Sequence, residues 1–135
     1  MSVLGAWTNE LGSVLTIESV EAGLITGTYT TAVSTDACAK GTFGVTGRTD
    51  VDSDGTSAAW SVVWRNEVSD CESATSWAGQ FNIQTGLLTA FWVLSTETDL
   101  PEAWGSTRIG IDYFSQGGSP TFKSIRQPTS GRSHP

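Results

Sequence analysis

Trp60-Ser61-Val62-Val63-Trp64 and, a short loop later, Ser73-Ala74-Thr75-Ser76-Trp77-Ala78-Gly79-Gln80 share a period of two. Side chains two apart share one face of a strand. Trp60, Val62 and Trp64 therefore fall together, as do Ser73, Thr75 and Trp77. This alternation predicts strands over 57–65 and 74–82. Working outward, similar runs predict strands over 5–9, 13–19, 24–33, 41–48, 87–95 and 107–114. Turn residues separate them at Glu10-Leu11-Gly12, Val20-Glu21-Ala22-Gly23 and Gln84-Thr85-Gly86. No segment sustains the i, i+3, i+4 spacing of a helix. Many short runs punctuated by Gly, Asn, Asp and Ser make this an all-β barrel or sandwich.

The same alternation sorts the remaining strands. Tyr29, Thr31 and Val33 share a face, and so do Ala90, Trp92 and Leu94. Gly110 and Asp112 share one on the last strand. Indoles beside small hydroxyl and amide groups describe a small, mostly apolar pocket with a few aimed hydrogen-bonding groups. Any one tryptophan alone would be read as core. In combination, Trp7, Trp64, Trp77 and Trp92 are read as pocket wall, and Trp60 stays in the core. Asp112 lies in Gly110-Ile111-Asp112-Tyr113-Phe114, between apolar neighbours, so full exposure is not expected. The opposite faces carry Val63, Phe91, Val93, Ile109 and Ile111, which would be wet in a lone barrel. Both faces are thus expected to be partly buried, which points to subunit association.

The chain of 135 residues suits one domain. Its net charge of −7 disfavours nucleic acid. No run approaches the roughly 18 apolar residues of a membrane helix. Residues 1–116 hold all 14 acids and four of the seven bases; residues 117–135 hold the other three bases and no acid. From Gly117 onward Gly, Ser, Pro and Thr dominate. The expected organisation is a barrel domain over 1–116 and a flexible basic tail over 117–135. Asp50-Val51-Asp52-Ser53-Asp54-Gly55 resembles a calcium loop in its acid spacing but lacks the distant closing glutamate, so no metal is expected. The only histidine is His134, which excludes a Ser/His/Asp set and argues against an enzyme.

Cys38 and Cys71 lie in polar stretches and are expected in loops at one end of the fold. A bridge between them is favoured over two free thiols. It would close a loop of roughly 33 residues, worth about 3–4 kcal/mol in the chain-entropy model, and would imply an oxidising compartment. Met1-Ser2-Val3 is read as the start left after removal of a secretion signal, giving a secreted or periplasmic protein.

Gly27-Thr28-Tyr29, Trp60-x-x-x-Trp64 and Ser73-Ala74-Thr75-x-Trp77-x-Gly79-Gln80 together resemble the avidin–streptavidin family of biotin-binding proteins. The resemblance covers about residues 5–116. It implies an eight-stranded up-and-down antiparallel β-barrel with the ligand site at one open end, a size that holds one small ligand. It implies that Asn9, Ser13 and Tyr29 donate to the ureido oxygen of biotin, and that Thr31 and Asp112 accept its two N–H groups. Thr75 would lie against the thioether sulfur. Ser73 and the backbone N–H of Thr35 would meet the carboxylate. Trp64, Trp77 and Trp92 would wall the bicyclic ring, with Val33 and Leu94 on the same faces. Trp104 matches the tryptophan that family tetramers pass into a neighbour's site. Biotin would be a ligand, with no cofactor.

A urea offers one strong acceptor and two donors, and this residue set is its complement. A carboxylate opposite one N–H makes a charge-assisted bond, and indole faces lower the local dielectric. A lipocalin-like carrier of another apolar molecule is the alternative, but the polar set of Asn9, Ser13, Tyr29 and Asp112 suits a urea better than a lipid. Thr31 stands where the family usually has serine, and Val33-Ser34-Thr35 where its streptavidin branch has Gly-Asn. The cysteine pair resembles that of some bacterial members, in which it ties the lid loop down. A homotetramer is expected, with a dimer as runner-up. The tail is expected to be solvated, or else to lie over a neighbour's barrel mouth.

Overall fold

The structure, a computed structural model, describes residues 3–32, 39–50, 56–82, 84–97 and 107–116. It has eight strands: β1 (Gly5–Asn9), β2 (Val14–Glu21), β3 (Leu24–Thr30), β4 (Phe43–Thr49), β5 (Ser57–Arg65), β6 (Asp70–Asn82), β7 (Leu87–Thr96) and β8 (Thr107–Gln116). Each pairs antiparallel with the next, and β8 returns to β1 to close the barrel. Closure leaves no open sheet edge. Among the described residues there is no helix.

Three strand boundaries differ from expectation for visible reasons. β3 stops at Thr30 rather than at 33, because the Ala32 N–H donates to the Ser13 hydroxyl, at 3.0 Å, instead of continuing a ladder. β4 starts at Phe43 rather than at 41, after Gly41 at φ 84°. β6 starts at Asp70 rather than at 74, because Asn66 closes a tight turn that brings Arg65 opposite Asp70 across a bulge. In that turn Asn66 Oδ1 accepts the Val68 and Ser69 N–H groups, both at 2.9 Å. Cys71, expected in a loop, therefore lies inside β6, partly buried against the core.

Alternation fills the interior. Trp7, Leu15, Ile25, Val62, Phe81 and Phe114 point inward into one apolar cluster. A single row crosses five strands: Gly47, Trp60, Trp77, Trp92 and Gly110 are successive register partners. Three adjacent indoles leave no room for a fourth large group. At Gly110 a Cβ would meet the Trp92 ring at 2.3 Å. Trp60 and Trp77 stack at 5.8 Å with planes 12° apart, so Trp60 is core.

The outward faces of β5, β7 and β8 are apolar. Val63 (62%), Phe91 (65%), Val93 (46%) and Ile109 (61%) stay exposed on the single chain. Ile111, expected to be wet with them, is only 6% exposed. Residues 117–135, expected as a tail, lie outside the described residues.

Candidate functional site

In an up-and-down barrel one end is formed by the ends of odd strands and the beginnings of even ones. Asn9, Tyr29 and Trp64 lie at or near the ends of β1, β3 and β5; Ser73 and Thr75 lie in the first half of β6. Ser13 precedes β2, in a turn where Gly12 adopts φ 92°. Asp112 sits midway along β8, opposite Ala90. The sheet thereby brings residues more than 100 positions apart to one end of the interior. Asn9, Ser13, Thr75 and Asp112 are its buried polar residues, each exposed by 1% or less.

The hydrogen bonds fix which way each group works. Asn9 Oδ1 accepts the backbone N–H groups of Leu11 (3.0 Å) and Ser13 (2.9 Å). Its Nδ2 is thereby turned toward Asp112 Oδ1, at 3.5 Å. An amide nitrogen has two hydrogens, so Asn9 keeps one to donate. The Ser13 hydroxyl accepts from the Ala32 N–H and lies 3.4 Å from the Thr31 hydroxyl. The Ala32 N–H takes one of its two acceptor positions, and its single proton can go to Thr31, to Tyr29 or to a ligand. Thr75 Oγ1 accepts from Trp64 Nε1 at 2.8 Å, and Asp112 Oδ2 accepts from Trp77 Nε1 at 2.9 Å. The two indoles hold these acceptors in place from the wall side.

Tyr29 completes the set. It is fully buried, and no group in the chain accepts its proton; the Ser13 hydroxyl bears on its oxygen as a donor. Burial pushes its pKa well above the ordinary 10.0, and the negative charge of Asp112 adds to the rise; nearby Ser13 offsets part of it and Glu10 adds a little more. The phenol is therefore a neutral donor. A buried hydroxyl proton without an acceptor costs about 1–3 kcal/mol. Trp60 Nε1 also lacks an acceptor, but within the packing of Trp77 and Phe114.

The apolar wall surrounds this polar floor. Tyr29 lies 5.6 Å from Trp64 and 5.1 Å from Trp77, ring to ring. Trp92 is the register partner of Trp77, and the partly buried Leu94 is that of Thr75. Ser73 is half-buried on the same face of β6. Trp7, read as wall, is instead placed against Phe81 at 5.5 Å and donates to the Val3 carbonyl, away from the polar set. Val33, Thr35, Cys38 and Trp104 lie outside the described residues. Phe43 was not read as a site residue, yet it packs edge-on against Trp64 at 5.0 Å. Its alternation with Val45 was the available signal. Among the described residues no three His, Cys, Asp or Glu come together as a metal site would need.

The Avidin family profile matches residues 1–117. Avidin of Gallus gallus is 32% identical over 126 residues, covering 85% of this chain and 78% of its own length. Avidin-related protein 4/5 of Gallus gallus is 32% identical over 120 residues, covering 85% of this chain and 77% of its own. A crystal structure of a shwanavidin variant in complex with biotin superposes with a TM-score of 0.72 at 31% identity, covering 86% of this chain and 96% of that one. Xenavidin superposes with a TM-score of 0.73 at 31% identity, covering 84% and 96%.

Proposed function

The chain belongs to the avidin family, and from that premise we propose that its barrel binds biotin non-covalently, by the ureido ring, without catalysing a reaction. The observation that carries this reading is the Tyr29 hydroxyl, a neutral donor buried beside Ser13 and Asp112 with nothing in the chain to receive its proton. A urea oxygen placed there would accept from Tyr29, Ser13 and Asn9. Its two N–H groups would then reach Asp112 and Thr31. Three donors around one oxygen favour charge on that oxygen, and the carboxylate across the ring favours the complementary charge on the N–H. Because strands and indole hydrogen bonds fix these groups beforehand, little ordering cost remains at binding.

The other roles follow the ligand outward. Thr75, held by Trp64, would face the sulfur. Ser73 and the Thr35 N–H would hold the carboxylate, with Val33 and Leu94 beside the chain. Trp64, Trp77 and Trp92 would cover the rings, and Trp104 would enter from a neighbouring copy. A lipid-like ligand would leave the buried donors unsatisfied, so the lipocalin-like alternative is disfavoured.

The exposed apolar face of Val63, Phe91, Val93 and Ile109 supports self-association. We assign a homotetramer, with the dimer as its alternative. A Cys38–Cys71 bridge is part of the same reading. It is supported by the half-buried place of Cys71 at the start of β6 and by the lack of a free cysteine among the described residues. Such a bridge would tie the segment before β4 to β6 and would suit a secreted or periplasmic, bacterial-type member.

Isothermal titration with biotin tests the reading. One site per chain is expected, together with a rise in melting temperature by mass action, worth about 4 kcal/mol at a thousandfold excess over Kd. No heat and no thermal shift would sink it.

A further inference from the structure

The seam between β1 and β8 closes the barrel through only three register pairs, Trp7 with Gln116, Thr8 with Ser115 and Asn9 with Phe114. Every other seam has four or more. Yet the polar floor straddles this short seam, with Asn9 on β1 and Asp112 on β8. Main-chain bonding in an antiparallel pair falls on alternate residues. The N–H of Asn9 donates to the Ser13 carbonyl at 2.9 Å, and its own carbonyl accepts from Gly12 at 3.1 Å, so both are used by the β1–β2 turn. The next position for a bond to β8 is Glu10 opposite Tyr113. There the chain has already turned away, and the Glu10 side chain supplies the acceptor: Oε2 receives the Tyr113 N–H at 2.8 Å. The carboxylate is half-buried, with Oε1 shielded from solvent.

We propose that Glu10 is a positioning residue for the ligand, a clasp across the closing seam that sets the distance between the donor Asn9 and the acceptor Asp112. The two residues it joins, Glu10 and Tyr113, are the immediate chain neighbours of Asn9 and Asp112. The direct contact between that pair is long, at 3.5 Å, and is too weak to set the spacing. A charge-assisted bond from a half-buried carboxylate is the stronger restraint. Both ends of the urea are thereby held at one separation by a residue that need not touch the ligand.

The ligand half of this inference rests on biotin being bound; the clasp itself does not. Hydrogen exchange of the Tyr113 amide in the ligand-free protein reads the clasp, and stopped-flow biotin association and dissociation read its consequence. Glu10→Ala is expected to lose Tyr113 protection and to raise the biotin off-rate about tenfold, the effect of one hydrogen bond to a charged group. Its on-rate should stay unchanged. Glu10→Gln keeps an acceptor of the same length but loses the charge, so it should retain part of the Tyr113 protection and show an off-rate between those of the parent and Glu10→Ala. Unchanged Tyr113 exchange in Glu10→Ala would overturn the clasp. A lost clasp with an unchanged off-rate would overturn the positioning role, and so would a Glu10→Gln variant as defective as Glu10→Ala. A parent protein that ignores biotin would instead overturn the functional reading and the ligand role of Glu10 with it, while Tyr113 exchange would still decide whether the clasp forms.

Discussion

Tyr29 is held protonated into the alkaline range, first by burial and then by the charge of Asp112. The unfolded chain releases this proton near 10, and the folded chain releases it only at a higher pH. Below pH 10 both states keep the proton and the full stability remains. Above it the unfolded state binds fewer protons, so stability falls as pH rises toward the folded pKa. Tyr29→Phe should therefore flatten the alkaline loss of stability followed by denaturant unfolding. In phenolate absorbance titrations of the parent and of Tyr29→Phe, the Tyr29 contribution should appear only as the protein unfolds. Ionisation of Tyr29 while the fold persists would contradict its burial. Tyr29 is legible as a candidate site residue from its motif. Its lack of an internal acceptor is not, because that depends on how far Ser13 and Asp112 lie across the barrel.

The β5–β6 turn shows how one side chain organises an element. Asn66 Oδ1 receives the Val68 and Ser69 N–H groups. Its Nδ2 donates to the Lys40 carbonyl at 2.7 Å and to the Thr42 carbonyl at 3.2 Å. The turn is thus fastened to the segment that leads into β4, at the end of the barrel where β1 and β3 finish. The nearby Arg65–Asp70 pair, at 3.8 Å and largely solvated, contributes little. Asn66→Ala should cost about 1–3 kcal/mol in chemical denaturation and speed amide exchange at Val68 and Ser69. An unchanged midpoint would show that the turn holds without these bonds. Strand positions were readable from alternation alone. The ends of β3 and the start of β6 were not, because Ser13 and Asn66 intercept main-chain groups there and no periodicity records it.

The barrel leaves an apolar strip on its outside. Val93 pairs with Ile109, and Phe91 lies two residues from Val93 on the same face of β7, so these three exposed residues are neighbours rather than scattered singles. In the self-association we propose, this strip would meet the same strip on a second copy, in a two-fold arrangement. Phe91→Lys should weaken association at least tenfold, as loss of a central aromatic contact commonly does, and sedimentation velocity would then show smaller species. The same assembly in parent and variant would place the interface elsewhere.

Period-two alternation carried the strands, their inward faces and the all-β class, because the pleat imposes it locally on every residue. The combination of tryptophans with Asn9, Ser13, Tyr29, Thr75 and Asp112 carried the family and led to the pocket we propose. Closure decided the rest. Which hydroxyl gives its proton, why Gly110 must lack a Cβ beside Trp92, why Trp7 belongs with Phe81, and how Glu10 reaches Tyr113 all depend on separations between strands remote in sequence. Those separations exist only once β8 meets β1, since side-chain hydrogen bonds and ring contacts act over a few ångströms of space and not along the chain.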